Sequence, residues 1–266
     1  MSGYEVVVAR YGTRQTVRSE VFLNYGLYGE PDAPIGMDYF FWVVRNEART
    51  FVVDTGFSRA GGANRGRTTL IDPVEAFTAL GVDPADAPTV IVTHAHYDHI
   101  GNLDHFDRSQ VVVARAEVDF WAGPHSRRVQ FHHSVEDAEL AELASVVDSG
   151  RAVLFDDRVT VADGIEVIRV GGHTPGQSVV RVETADGPVL LASDAVHYYE
   201  ESEKAMPFVS VANLVDMYAG FDTIEAMAAG GAAQVVSGHD PATLDRFGRD
   251  GGPLGDATAV IGRART

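Results

Sequence analysis

Four side chains able to ligate a metal fall within Thr93-His94-Ala95-His96-Tyr97-Asp98-His99. The apolar run before them, Thr89-Val90-Ile91-Val92, reads as a buried strand. At a strand end, side chains two apart point the same way, so His94 and His96 can grip one ion. As the chain turns, Asp98 and His99 come round to face a second ion beside the first. Imidazole with carboxylate suits zinc and other borderline divalent metals. Three more polar residues stand at the ends of expected strands, where loops can gather them. They are His173 in the Gly171–Gly176 turn, Asp194 after the apolar Pro188–Ser193, and His239 in Ser237–Pro241. The inventory then divides in two. His94, His96 and His173 would take one ion, and Asp98, His99 and His239 the other, with Asp194 bridging both through its two oxygens. Each ion keeps an open position shared with a water, which separates a catalytic site from a closed structural one. Two dications about 3.5–4 Å apart would lower the pKa of that water strongly and give hydroxide near neutral pH.

The bulk of the chain sets limits on what this site serves. With 266 residues, 45% hydrophobic and 22% charged, it is an ordinary globular protein with ample core. Length alone permits one large domain or two small ones. No linker, repeat or low-complexity segment divides it, so one domain over 1–266 is expected. The formal net charge of −17 repels phosphate backbones and disfavours nucleic-acid and anionic-membrane partners. The absence of cysteine removes disulfides, thiolate nucleophiles and sulfur-ligated zinc. Any metal is therefore held by nitrogen and oxygen. The first twenty residues carry Glu5, Arg10, Arg14 and Arg18 with no apolar segment of signal length, and nothing approaches a bilayer span. A cytoplasmic protein is expected. A homodimer is allowed but not required.

The elements that must position the site follow from patterning. Glu5–Ala9, Tyr39–Val44, Thr50–Val53, Val111–Val113 and Gln234–Val236 read as strands, and 153–193 as short strands broken by Asp-Gly turns. Residues 23–38 read as a loop rich in Gly, Pro and Tyr, and 57–69, with Arg59, Arg65 and Arg67, as a solvated, mobile one. Asp72-Pro73-Val74-Glu75 carries a helix start, with an acidic cap and proline in the first turn. A second helix opens at Ser134–Asp137, and the longest runs over 212–230 with Leu214, Met217, Tyr218, Phe221 and Ile224 on one stripe. Asp54, at the end of its strand, serves either as a turn or capping residue or to orient a ligand histidine. His125, His132 and His133, in the segment 116–133, either line a substrate entrance or lie on exposed surface.

Taken together, Asp54, the His94–His99 motif, His173, Asp194 and His239 resemble the metallo-β-lactamase superfamily over nearly the whole chain. The resemblance implies an α+β fold, a four-layer αββα sandwich with the metals at one edge between two sheets. Lack of cysteine departs from the common zinc β-lactamases, whereas Asp98 and Asp194 match the dinuclear hydrolase branch. His96 stands where oxygen-reducing di-iron relatives carry glutamate. Gly171–Ser178, Val189–Tyr199 and Ser237–Pro241, with Tyr39–Val44 and Asp54-Thr55-Gly56, resemble N-acyl-homoserine lactonases. That family opens the lactone ring of quorum-sensing signals and often carries a tyrosine three positions after the bridging aspartate. Here that position is His197, followed by Tyr198 and Tyr199.

The expected activity is therefore lactone hydrolysis, with two divalent ions, zinc foremost, and a small lactone or ester as substrate. A hydroxide between the ions attacks the carbonyl carbon while one ion polarises the carbonyl oxygen. His197, Tyr198 or Tyr199 is the expected donor to the oxyanion, and Asp98 the group that delivers a proton to the leaving oxygen. Rival readings keep the site and change the chemistry. A thioesterase resembling glyoxalase II, or an amide or phosphoester hydrolase, is one. Glyoxalase II relatives usually add a C-terminal helical module, and only 27 residues follow His239 here. A mononuclear iron oxygenase of the same fold is another, and a non-catalytic, metal-stabilised binding protein a third.

Overall fold

The first two long strands set the plan, because their side chains alternate between two apolar interiors. In the computed structural model, which describes residues 3–262, β1 runs Glu5–Val17 and β2 Pro34–Arg45. Tyr39, Phe41 and Val43 of β2 face one core, and Phe40, Trp42 and Val44 the other. After β2 come β3 (Thr50–Val53), β4 (Thr68–Thr69), β5 (Thr89–Ile91), β6 (Val111–Ala114) and β7 (Ala152–Phe155). With β13 (Thr258–Ile261) they form an eight-stranded sheet ordered β13-β1-β2-β3-β5-β6-β7, with β4 paired to β1. A second sheet is ordered β12-β11-β10-β9-β8. Its strands are β8 (Arg158–Ala162), β9 (Ile165–Arg169), β10 (Ser178–Thr184), β11 (Gly187–Ser193) and β12 (Gln234–Ser237).

Three separate apolar clusters make the layering explicit. The one between the sheets joins Val6, Val8 and Trp42 to Val180, Val182, Val189, Leu191 and Val236. Outside the first sheet, Val7, Phe41 and Val113 pack with Phe77, Ile100, Trp121, Leu143 and Val146 of the helices. Outside the second, Val179, Leu190 and Ala192 meet Met217, Phe221 and Ile224. Three interiors need four layers, and the fold is an αββα sandwich. The helices in chain order are α1 (Arg18–Val21), α2 (Arg59–Asn64), α3 (Pro73–Ala79), α4 (Tyr97–Ile100) and α5 (Arg115–Ala122). They continue as α6 (Val129–His132), α7 (Asp137–Asp148), α8 (Tyr199–Glu203), α9 (Leu214–Ala228) and α10 (Thr243–Phe247). None among the described residues is long and apolar enough to cross a membrane.

Strand direction gathers the polar ends. β3 and β5 pair in parallel, so Asp54 and the His94–His99 segment leave the first sheet at one end. β11 and β12 are likewise parallel, which brings Asp194 and His239 out together. β10 is antiparallel to both β9 and β11, so the β9–β10 turn carrying His173 lies at that same end.

Three local expectations need correction. Residues 34–38 are not loop, because β2 begins at Pro34 and pairs with β1 as far as Val17. Residues 57–69 are not a loose loop either. Ser58 caps α2 by accepting from the Gly61 amide, and Arg65 is tied to Glu136 and to the His133 and Val135 carbonyls. The buried stripe of α9 is Met217, Gly220, Phe221 and Ile224, whereas Leu214 and Tyr218 are exposed.

Candidate metal centre

The seven ligating side chains read from the sequence lie together in two adjacent groups. His94, His96, His173 and Asp194 form one, and Asp98, His99 and His239 the other, with ligand atoms in each group within 4.8 Å of one another. All seven are buried. Asp194 divides its oxygens between the groups. Oδ2 stands 3.3 Å from His173 Nε2 and 3.7 Å from His94 Nε2. Oδ1 stands 3.2 Å from His99 Nε2 and 3.1 Å from His239 Nε2. Asp98 faces the second group, with Oδ2 3.8 Å from His239 Nε2.

The outer ring nitrogens are fixed by the protein, which leaves the inner ones to converge. His99 Nδ1 lies 2.7 Å from Asp54 Oδ2, His173 Nδ1 2.7 Å from the Ser210 carbonyl, and His239 Nδ1 2.7 Å from the Asp38 carbonyl. An acceptor on Nδ1 puts the proton there and leaves the Nε2 lone pair directed inward. Inside, His94 Nε2, His99 Nε2, His239 Nε2 and Asp194 Oδ1 are buried without a hydrogen bond among the described residues. Lone pairs aimed at a common point, with nothing of the protein to receive them, fit divalent cations.

Electrostatics agree with that donor set. Burial, reinforced by neighbouring imidazoles, holds His94 and His96 well below the ordinary imidazole range and brings His173 down to about 3. These rings are neutral, as ligands must be. His99 departs the other way. Burial opposes its charge, but Asp194, Asp54 and Asp98 outweigh it and raise it well above the usual value. A cation bound there would take the place of that proton.

Two further residues hold the site together. Asp54 sits at φ 58°, a left-handed conformation uncommon outside glycine. It also accepts from the Thr93 amide (2.8 Å) and hydroxyl (2.7 Å), so it orients His99 from the strand end. Glu117, fully buried on α5, accepts from the Ala95 amide and Trp121 Nε1 with one oxygen (both 2.8 Å). With the other it accepts from the Thr174 hydroxyl (2.7 Å) and the Gly176 amide (2.9 Å). One carboxylate thus ties the His94–His99 loop to the His173 turn. Gly176 permits the approach, since a Cβ there would collide with the Glu117 backbone.

A cleft of about 260 Å³ opens onto these groups, lined by His96, Asp98, His173 and Asp194 and by Tyr39, Tyr97, Arg14, Arg67 and Phe208. Larger hollows of about 500 and 540 Å³ border residues 46–49 elsewhere on the surface and contain neither metal-ligating group. A family model described as the metallo-beta-lactamase superfamily matches residues 37–239.

The chain belongs to this superfamily.

Relatives within the superfamily include an N-acyl homoserine lactonase from a Bacillus species, 26% identical over 208 residues, covering 73% of this chain and 74% of its own. Another, from Azorhizobium caulinodans, is 31% identical over 177 residues, 64% of each chain. The present chain thus spans just under two thirds of that second relative. A solved quorum-quenching N-acyl homoserine lactone lactonase superposes with TM-score 0.75 at 19% identity, covering 91% of this chain and 94% of that one. An N-acyl homoserine lactone hydrolase, solved with N-hexanoyl-L-homoserine at its catalytic metal centre, gives 0.76 at 18%, covering 92% and 97%. At such identities the superpositions establish the superfamily fold.

The residues expected to touch substrate are placed differently from that expectation. His197 is fully buried, stacked on Phe208 at 3.8 Å, with Nε2 3.1 Å from Asp194 Oδ2 and Nδ1 3.2 Å from Glu201 Oε2. Asp194 and Glu201 overcome its burial and raise it to about 9. It braces Asp194 from behind and does not line the cleft. The Tyr198 hydroxyl donates to the Gly36 carbonyl, and that of Tyr199 lies 3.4 Å from Thr243 Oγ1, so both tyrosines pack structurally. Neither lines the cleft. Of the three unassigned histidines, only His133 reaches the cleft wall. His132 faces Asp137 at 3.5 Å, and His125 is exposed.

The phenols that do line the cleft belong to Tyr39 and Tyr97, with hydroxyls 3.5 Å apart. Burial, with Asp98 nearby, raises Tyr39 to about 12 and Tyr97 well above its ordinary value. Both stay protonated at neutral pH. Sequence reasoning missed them because an aromatic in a strand or beside a ligand usually signals core packing. Glu117 carried no signal beyond an acid in a first helical turn.

Proposed function

We propose that this protein is a metal-dependent hydrolase that opens a lactone ring, with N-acyl-homoserine lactones as its leading substrates. The observation that carries this reading is the division of Asp194. One carboxylate faces two groups of inward imidazoles beside an open cleft. His94, His96 and His173 would hold one ion and Asp98, His99 and His239 the second, with Asp194 shared. Zinc suits a site built only from nitrogen and oxygen donors. When bound, such a pair supplies Lewis acidity and an acidified water.

The remaining work falls to the chain. Asp54, Ser210 and Asp38 hold the Nδ1 protons of His99, His173 and His239, so the rings keep their orientation through the reaction. Tyr39 and Tyr97, protonated and on the cleft wall, are donors in reach of a carbonyl or an amide arm. Asp98, at the cleft floor, takes up a proton at its free oxygen and passes it to the leaving ring oxygen. Phe208 and Met37 furnish apolar wall for an acyl chain. The lactonase relatives support the substrate class.

The test is proton release from lactones, thioesters and amides by zinc-loaded protein, with Asp98→Asn as control. Lactones should turn over fastest, and the variant should lose about 100-fold or more in kcat. Thioester or amide hydrolysis without lactone turnover would reassign the substrate class.

A further inference from the structure

Two guanidinium groups on the cleft wall form no ion pair with any described carboxylate. Arg14 comes from β1 and Arg67 from the segment before β4, and both line the cleft with Asp98, Tyr39 and Tyr97. No described carboxylate oxygen lies within 4.0 Å of either. The neighbouring Arg65 makes the contrast, since it is consumed by Glu136 and three backbone carbonyls. Glu20, another acid lining the cleft, accepts from the Thr16 hydroxyl at 2.8 Å. Arg14 Nε is buried without a hydrogen-bond partner among the described residues. Arg67 gives Nε–H to the Tyr97 hydroxyl at 3.0 Å, and its terminal nitrogens have no partner among the described residues. Arg67 stands over the Tyr39 ring at 5.9 Å, Arg14 lines the same cleft, and both charges oppose the rise in the Tyr39 pKa.

A chain with 38 acidic against 21 basic residues has carboxylates to spare for pairing. Half-buried cations left without one are costly unless a ligand supplies the anion. Asp98, whose charge acts on Arg67 across the cleft, is itself one of the candidate metal ligands, so with metal bound its charge would be largely spent there. The guanidinium fork matches an oxyanion in two parallel hydrogen bonds.

We infer that Arg14 and Arg67 form a carboxylate-binding subsite, so that the preferred substrate is a lactone whose non-reacting arm ends in a carboxylate. The inference rests on the hydrolase reading of the adjacent centre and extends it to the far end of the substrate. The subsite gives specificity and leaves the bond-breaking steps unchanged.

Two measurements test it separately from that reading. The first compares two lactones of equal ring and arm length on zinc-loaded protein, one ending in methyl and the other in carboxylate. The carboxylate form should have the higher kcat/KM by about 10–100-fold, with a preference that shrinks as salt is raised. In Arg14→Met and Arg67→Met that ratio should collapse toward unity, with partial recovery in Arg67→Lys. The second measures adipate binding to the zinc-loaded protein by calorimetry. It should weaken about tenfold or more in each methionine variant whether or not any lactone is hydrolysed. Equal adipate affinity in wild type and both variants overturns the subsite. Equal turnover of the two lactones overturns the substrate assignment while leaving the hydrolase reading in place. Arginine-dependent adipate binding with no lactone turnover sustains the subsite and sinks the lactonase reading.

Discussion

A histidine is a useful ligand only when its second nitrogen is spoken for, and Asp54 shows how the chain arranges this. Its carboxylate fixes the His99 ring and the Thr93 end of the strand at once. Asp54→Asn keeps a side chain that tolerates the left-handed backbone but removes the charge that holds the His99 proton. Metal affinity should drop about 10–100-fold, read by competition with a chromogenic chelator. Glu139 offers a second residue-level test. It is buried on α7, accepts from the Ser58 hydroxyl at 2.7 Å, and burial, with Glu136 nearby, raises its pKa from 4.5 to about 7. The folded protein therefore holds a proton that the unfolded chain releases. This contribution is complete below the unfolded value and is lost as pH rises to about 7. Glu139→Gln should flatten the decline in stability between those limits and leave the protein about 2 kcal/mol more stable at pH 8. Urea unfolding across that range measures it.

At the scale of elements, the site is a junction between loops, and Glu117 of α5 is its tie. Glu117→Ala strips four donors of their acceptor in a dry interior, at about 1 kcal/mol each. A loss of about 3–4 kcal/mol in urea unfolding is expected, with metal affinity falling in parallel because the His173 turn comes loose. The parallel pairs β3–β5 and β11–β12 do the rest, since each delivers two polar ends side by side. Patterning located α3, α7 and α9 and missed α5. The apolar stripes of the first three are read against a single sheet face, whereas α2 and α6 are short and owe their form to the polar neighbours that cap and pin them.

For the whole molecule, the cluster between the sheets draws on β1 and β2 from one end of the chain and on β12 and β13 from the other. We propose that residues 1–266 unfold as one domain, which a single calorimetric transition with equal calorimetric and van't Hoff enthalpies would verify. Metal should stabilise that transition, because the inward nitrogens offer a site that the unfolded chain lacks. With metal a thousandfold above its Kd, stripping it should cost about 4 kcal/mol of stability and abolish hydrolysis. Calorimetry before and after chelator dialysis, with zinc restored as control, reads both.

By itself the chain announced a cluster of candidate metal-ligating side chains, and the sandwich came only as what the family resemblance implied. Ligand types and spacings are local facts: His94, His96, Asp98 and His99 stand within one turn, and His173, Asp194 and His239 each follow a recognisable strand. An unbroken apolar run such as Tyr39–Val44 likewise announces a strand buried on both faces before any partner is known. What only the tertiary structure decided is which side chains face the cleft. His197, Tyr198 and Tyr199 looked poised by their position after Asp194, yet Glu201, Gly36 and Thr243 turn them inward. Tyr39, Tyr97, Arg14 and Arg67 come from distant segments whose meeting depends on sheet order and register, and no single stretch of sequence records that.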